Sequence, residues 1–279
     1  MRADVLCTVS HYTARRFLAG AEAVGGARLA DTIAESIVLR YPGLPPEAFA
    51  HPCTEAVEEF RQRSGLRQDS VLVSTLGRLE EEKGLDTIVA VAELAAVKAP
   101  ELEFVIAGTG SLGEDLAARA LGQPNLTVLR NLSSHDAQCL RAASEAGIFP
   151  TRVIPGFIET FCVAALEYEA LGVPVLASAI GGVPEAVPDG RFLVAPGTTA
   201  GEWLARIDET LANRAERSAA AAAFAGKFTS ARSAQRLIDL ATLAGDRLNR
   251  LVPLKADPVD EYLATWPASN SLIAEPAQM

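Results

Sequence analysis

From residue 71 onward, short apolar runs alternate with stretches of helical period. "VLVSTL" (71–76), "EFVIAG" (103–108), "NLTVLR" (125–130), "GIFP" (147–150), "VPVLAS" (173–178) and "RFLVA" (191–195) are rich in β-branched and aromatic residues. Their near-continuous apolar character predicts strands buried on both faces. Helices are predicted between them, from about Leu85 to Val97 and over 112–121, 134–143 and 161–172. Gly172 and Pro174 close the last of these. Such alternation predicts an α/β fold, a doubly wound Rossmann-like parallel sheet with helices on both faces. Ligands in that architecture sit outside the carboxyl ends of the strands, so residues just past each run are the candidates.

The two ends of the chain differ from this middle. Residues 3–18, "ADVLCTVSHYTARRFL", predict one strand and one helix, and "SIVLR" (36–40) predicts another strand before the turn "YPGLPP". Two strands are too few for an independent sheet, so the N-terminal part reads as an incomplete remnant of a larger one. Helical patterns cover roughly 199–225 and 228–250. The predicted organisation is a remnant and linker over 1–50, a ligand-binding domain over 51–227, a helix over 228–250 and an irregular tail over 251–279.

Composition narrows the function. The 279 residues are 49% hydrophobic and 22% charged, as in a globular chain, and the formal net charge is −10. An acidic chain with scattered basic residues argues against nucleic acid as a partner. A phosphate must then be held locally, by a few placed cations and by backbone N–H groups. Cys7, Cys53, Cys139 and Cys162 form no C-x-x-C pair, which argues against a zinc site. Free thiols in apolar surroundings fit a reducing cytoplasm, and no signal peptide or transmembrane run of about 18 apolar residues is visible.

Gly108, Gly110 and Gly113 spell G-x-G-x-x-G at the end of a predicted strand. A dinucleotide site requires an acid about 20 residues on, after the next strand. Arg130-Asn131 stands there instead. Arg130 could suit a 2′-phosphate, which leaves an NADP-dependent oxidoreductase as a third reading, and a tight turn without ligand is equally open.

Two further segments carry more. "GRLEEEKGLD" puts Arg78 and Lys83 just past a strand end, where a planar guanidinium and a point charge could neutralise a diphosphate. Against that, Glu80, Glu81 and Glu82 between them fit a solvated charge cluster. Glu159 precedes the predicted helix and Glu167 follows eight residues later, a rise of roughly 12 Å if wholly helical. The N–H groups of about Thr160 to Val163 would face an anion at the helix start. Ordinary helix acids would have the same spacing.

Taken together, "GRLEEEKGLD", "FVIAGTG", the E-x7-E pair Glu159/Glu167, "EALGVPVLAS" with "GGVPEAV", and "DGRFLVAPG" resemble the C-terminal donor-binding domain of the family 4 retaining glycosyltransferases, whose GT-B fold has two facing Rossmann-like domains. "FTSARSAQRLIDL" (228–240) is similar to that family's closing helix. The resemblance implies transfer of a hexosyl group from a nucleoside-diphosphate sugar with retention, without metal or other cofactor. It implies that Arg78 and Lys83 hold the diphosphate, that Glu167 takes the ribose hydroxyls and that Glu159 contacts the transferred sugar. The backbone of Thr160, Phe161 and Cys162 would lie near the distal phosphate, Gly108 and Gly110 would let the loop approach the nucleotide, and Asn131 and Leu132 would lie beside the base. In that family the first domain supplies the acceptor pocket and a catalytic histidine. His11, His51 and His135 match no such position, so a first domain supplied in trans and an inactive nucleotide-sugar-binding module both remain open, with the acceptor unknown.

Overall fold

The computed structural model describes residues 5–247. They fall into two compact units, one of residues up to Pro46 and from Lys227 on, the other Glu47–Gly226. In the first unit, β1 (Leu6–Thr8), α1 (His11–Ala34) and β2 (Ile37–Leu39) form a parallel pair with its crossover helix, Leu6 opposite Ile37. Ser10 caps α1 by accepting from the Thr13 amide at 3.1 Å, an arrangement that stabilises a helix start by about 1 kcal/mol.

The second unit opens with α2 (Thr54–Arg63) and continues through β3 (Val71–Arg78), α3 (Leu85–Lys98), β4 (Leu102–Thr109), α4 (Gly113–Ala120), β5 (Leu126–Arg130), α5 (Ser134–Ala143), β6 (Ala146–Phe149), α6 (Val163–Glu169), β7 (Val175–Ser178), β8 (Leu193–Val194), α7 (Ala200–Ala212) and α8 (Arg214–Ala225). Its strands make one six-stranded parallel sheet in the order β5-β4-β3-β6-β7-β8. The predicted doubly wound sheet is therefore the one observed. Successive residues of a strand face opposite sides. Phe104 and Ile106 accordingly pack with Ile88, Val91 and Trp203 on one face, while Val105 and Ala107 pack with Phe60 and Leu140 on the other. Both faces are core, which explains the uninterrupted apolar runs.

The chain returns to the first unit as α9 (Ser230–Arg247). Leu44 donates to the Phe228 carbonyl at 2.6 Å and accepts from the Ser230 amide at 2.7 Å, and Tyr41 meets Phe228 edge-on at 5.6 Å. The remainder of the predicted 228–250 helix and the 251–279 tail lie outside the described residues.

Several elements differ from the sequence expectation. Helix α2 was not anticipated, because among its residues only Phe60 is buried and half of them carry charge. The helical pattern over 199–225 is two helices, broken at Asn213 with φ −109° and ψ 23°. The run 191–195 forms only the two-residue β8, preceded by a 3-10 turn over Gly190–Phe192. Cys7 and Cys53 are exposed rather than set in apolar surroundings, whereas Cys139 and Cys162 are buried.

Candidate functional site

From β3 the chain steps outward to β4 and β5, then crosses back to lay β6 on the other side of β3. The connections leaving β3 and β6 diverge there, which opens a crevice at the carboxyl ends of the two strands. A cleft of about 490 Å³, solvent at its mouth included, lies at this point, and Arg78, Lys83, Thr151 and Cys162 are among its lining residues.

Arg78 is the last residue of β3, and the chain then turns through a 3-10 segment, Glu81–Lys83. The guanidinium of Arg78 pairs with the buried Glu82 at 2.5 Å and lies 5.7 Å from the Phe157 ring centre. The loop after β6 pins this turn: the Arg152 amide donates to the Glu82 carbonyl at 2.9 Å and Arg152 Nε to the Glu81 carbonyl at 3.0 Å. Both cations thus sit on backbone fixed from two strands.

Lys83 Nζ donates to Glu159 Oε2, joining this loop to the segment before α6. The Glu159 carbonyl accepts from the Gly182 amide at 2.9 Å. A Cβ on the neighbouring Gly181, where φ is +53°, would come within 2.1 Å of that carbonyl oxygen. Glycine is therefore required for the "GGVPEAV" turn to hold Glu159. The predicted helix over 161–172 begins only at Val163, because Cys162 stands at its start in a non-helical conformation, φ −93° and ψ 82°, with Phe161 and Cys162 buried. The span from Glu159 to Glu167 is not wholly helical, and Thr160, Phe161 and Cys162 precede α6. The helix ends at Glu169, with the Gly172 amide bonded to the Glu169 carbonyl at 2.9 Å.

Glu167, half-buried on α6, pairs through Oε2 with Nη2 of the buried Arg141 at the end of α5. The next residue anchors the helix: Tyr168 and Ser74 share a hydrogen bond of 2.7 Å, and Ser74 and Ser144 one of 2.6 Å. Burial pushes the Tyr168 phenol well above its usual pKa, so it stays protonated. Burial, reinforced by the Glu159 charge, pushes the Cys162 thiol up to about 12, which removes it as a nucleophile.

The glycine turn after β4 has a structural cause of its own. A Cβ on Gly108 would lie 1.7 Å from the Gly77 carbonyl oxygen, and one on Gly110 would lie 2.4 Å from that of Leu79. The room both glycines leave is filled by the β3 strand and its loop. Ser111 then bonds Glu80 through its amide at 2.9 Å and through its hydroxyl, holding that carboxyl below its ordinary pKa. Arg130, raised above as a 2′-phosphate ligand, lies 3.9 Å from Glu114.

Asn131 follows β5 in a left-handed conformation, φ 57°, and Leu132 packs on the Phe60–Leu140 cluster. Neither borders the cleft directly, and the same holds for Gly108, Gly110, Glu159, Thr160, Phe161 and Glu167, whereas Arg78, Lys83 and Cys162 do. His51 and His135 are exposed, and His11 faces the Tyr41 ring at 6.5 Å; none of the three lines the cleft. Sequence reasoning missed Arg141 and Thr151. Arg141 was signalled only as a lone cation among Cys139, Leu140 and Ala143. Thr151 lines the cleft, and its buried hydroxyl has no hydrogen-bond partner. Among the described residues no three His, Cys, Asp or Glu gather as a metal site, and no helix is long and apolar enough to cross a membrane.

Residues 40–226 match the family model described as Glycosyl transferases group 1. The chain belongs to this family. It is 32% identical over 234 residues to a D-inositol 3-phosphate glycosyltransferase of Stackebrandtia nassauensis, covering 77% of this chain and 50% of that one. It is 31% identical over 233 residues to a GDP-mannose-dependent alpha-(1-6)-phosphatidylinositol monomannoside mannosyltransferase of Mycolicibacterium smegmatis, covering 81% and 57%. The chain thus spans about half the length of these group 1 relatives. Among solved structures, HepE of Anabaena in complex with UDP and glucose superposes with a TM-score of 0.69 at 19% identity, over 86% of this chain and 63% of that one. A glycosyltransferase from Rickettsia africae gives 0.71 at 17%, over 89% and 64%. At these identities the structural likeness speaks for the fold.

Proposed function

We propose that this group 1 chain is mainly the donor-binding half of a glycosyltransferase that moves a hexosyl group from a nucleoside-diphosphate sugar to an acceptor with retention of configuration. One observation carries the reading: at the switch point of the sheet, Arg78 and Lys83 line a single cleft, and Lys83 is bonded to Glu159 of the E-x7-E pair. The relatives' names fit it, since the Mycolicibacterium enzyme is GDP-mannose-dependent and HepE was solved with UDP and glucose.

In this reading the β3 loop grips the diphosphate, and Glu167 accepts hydrogen bonds from the ribose while Arg141 holds its other side. Glu159 meets hydroxyls of the sugar, and the backbone of Thr160, Phe161 and Cys162 lies by the distal phosphate. Gly108 and Gly110 let the loop after β4 approach the nucleotide, and Asn131 and Leu132 lie beside the base, beyond the part of the cleft that Arg78 and Lys83 line. As the anomeric C–O bond breaks, its electron pair passes to the departing diphosphate and positive charge develops at the anomeric carbon. Arg78 and Lys83 stabilise the leaving group, which requires neither a metal nor another cofactor. The acceptor hydroxyl forms the new bond on the face the diphosphate leaves, and its proton passes to an oxygen of the departing diphosphate. A domain contributed by further sequence or by a separate chain would supply the acceptor pocket, and we place the protein in the cytoplasm.

The test is incubation of the chain with UDP-glucose, GDP-mannose and ADP-glucose, read by saturation-transfer NMR. Saturation of both ribose and sugar protons of one donor is the expected outcome. Where product accumulates, an anomeric configuration equal to the donor's is expected; an inverted product would overturn retention, and no binding of any donor would overturn the whole reading.

A further inference from the structure

The ion pair between Lys83 and Glu159 has a consequence for what the cleft accepts. The ammonium lines the cleft, yet it is already bonded to a carboxylate of which only 13% of the side chain is exposed. The backbone that carries this side chain is pinned: the Glu159 carbonyl accepts from the Gly182 amide, and Gly181 lies against that same oxygen. Cys162, buried beneath, offers no cation. An anion that takes the Lys83 N–H now bonded to Glu159 strips a largely buried carboxylate of its partner, and a charge so placed is destabilising until something bonds it.

We propose that Glu159 is a specificity-determining counter-ion that makes the cleft discriminate a nucleoside-diphosphate sugar from the bare nucleoside diphosphate. The inference rests on the donor-site reading above. A diphosphate displaces Glu159 from Lys83; the sugar of an intact donor then supplies hydroxyls that donate to the released carboxylate. A nucleoside diphosphate without sugar makes the same displacement and leaves Glu159 unpaired. The exchange involves no covalent step, only two acceptors competing for one ammonium. The site thereby favours substrate over its own leaving group, which limits retention of the product after transfer.

The test uses calorimetric titration of the full chain and of Glu159→Gln with inorganic pyrophosphate, UDP, GDP, UDP-glucose and GDP-mannose. Glutamine keeps the shape and the hydrogen-bonding capacity toward sugar hydroxyls but releases the ammonium. Pyrophosphate and the bound nucleoside diphosphate are expected to bind Glu159→Gln about tenfold more tightly, equivalent to about 1.4 kcal/mol. The preference for sugar nucleotide over free nucleotide should shrink by a similar factor. Simple removal of a nearby negative charge would also favour an anion, so the same substitution is made in Lys83→Met. Ion-pair exchange predicts that the gain disappears there, whereas general repulsion predicts that it persists. Unchanged or weaker pyrophosphate binding by Glu159→Gln would overturn the proposal, as would an equal gain in both backgrounds. Glu159→Asp gives a second reading: a shorter acid that pulls away from Lys83 should behave partly like Glu159→Gln. A pyrophosphate gain that depends on Lys83, with no nucleotide bound by any form, would support the exchange while overturning the donor-site reading.

Discussion

Two clusters of basic residues in the Glu47–Gly226 unit use similar chemistry for different ends. Arg217 on α8 is 2% exposed, and its guanidinium is enclosed on every side. Nη1 donates to the Arg191 carbonyl at 2.7 Å and to Thr210 Oγ1 at 2.9 Å, Nη2 donates to Glu209 Oε1 at 2.6 Å, and the Phe192 ring lies 5.7 Å away. Arg78 at the end of β3 has a side chain 59% exposed, one acid partner and one ring. A cation bonded by carbonyl, hydroxyl and carboxylate together is a structural rivet, since losing one partner still leaves the others. A cation held by a single acid at a strand end can exchange that acid for a ligand. Burial and the number of partners, rather than charge, separate the two clusters.

Substitutions that break this contrast should move different observables. Arg217→Ala removes a buried side chain and its bonds, and unfolding free energy should fall by about 3 kcal/mol in chemical denaturation. Equal stability would contradict the rivet. Glu167→Ala leaves the buried Arg141 without its carboxylate, so stability should fall by about 1 kcal/mol, less than in Arg217→Ala, while nucleoside-diphosphate binding weakens about 30-fold, about 2 kcal/mol by calorimetry. Arg78→Ala should weaken the diphosphate about tenfold and the nucleoside little. If uridine and UDP lost affinity equally, Arg78 would not be a diphosphate ligand.

The smallest effect concerns a buried acid. Glu169 is fully buried, and both its carboxylate oxygens lack a partner. Burial, with the Asp189 charge, raises its pKa well above the ordinary value. The folded state therefore holds that proton more tightly than the unfolded chain does, so stability is greatest below the unfolded pKa, about 4, and declines as pH rises above it. Glu169→Gln should remove this decline and stabilise the protein near pH 7 by about 1 kcal/mol, with no gain at pH 4. A pH-independent difference in urea midpoints would contradict it.

What the sequence showed and what it hid follow from the range of the interactions. Strands such as Leu102–Thr109 were legible because burial on both faces leaves a continuous apolar run. Helix α2 was not, because one phenylalanine among charged residues carries little periodic signal. Arg78, Lys83, Glu159 and Glu167 stood out through their order along the chain, but their partners did not. Lys83 finds Glu159 76 residues away, and Arg141 finds Glu167 26 residues away. Pairing at such separations is a property of the sheet order, which places β6 beside β3. The same holds for the segment before the short α6, where Glu159 accepts a bond from Gly182 that no local pattern announces. The glycine turn was an ambiguous signal. Its residues match a phosphate fingerprint, and the structure also gives Gly108 and Gly110 a packing reason, the close approach of the β3 strand and its loop.

The central claim is that the cleft at the β3–β6 switch point binds a nucleoside diphosphate. Calorimetric titration of the wild-type chain and Glu167→Ala with UDP, GDP, ADP and NADPH tests it most directly. The account predicts saturable, one-to-one binding of one nucleoside diphosphate by the wild type, lost in Glu167→Ala, and no binding of NADPH. NADPH binding that survives Glu167→Ala, with no diphosphate bound by a folded chain, would contradict it.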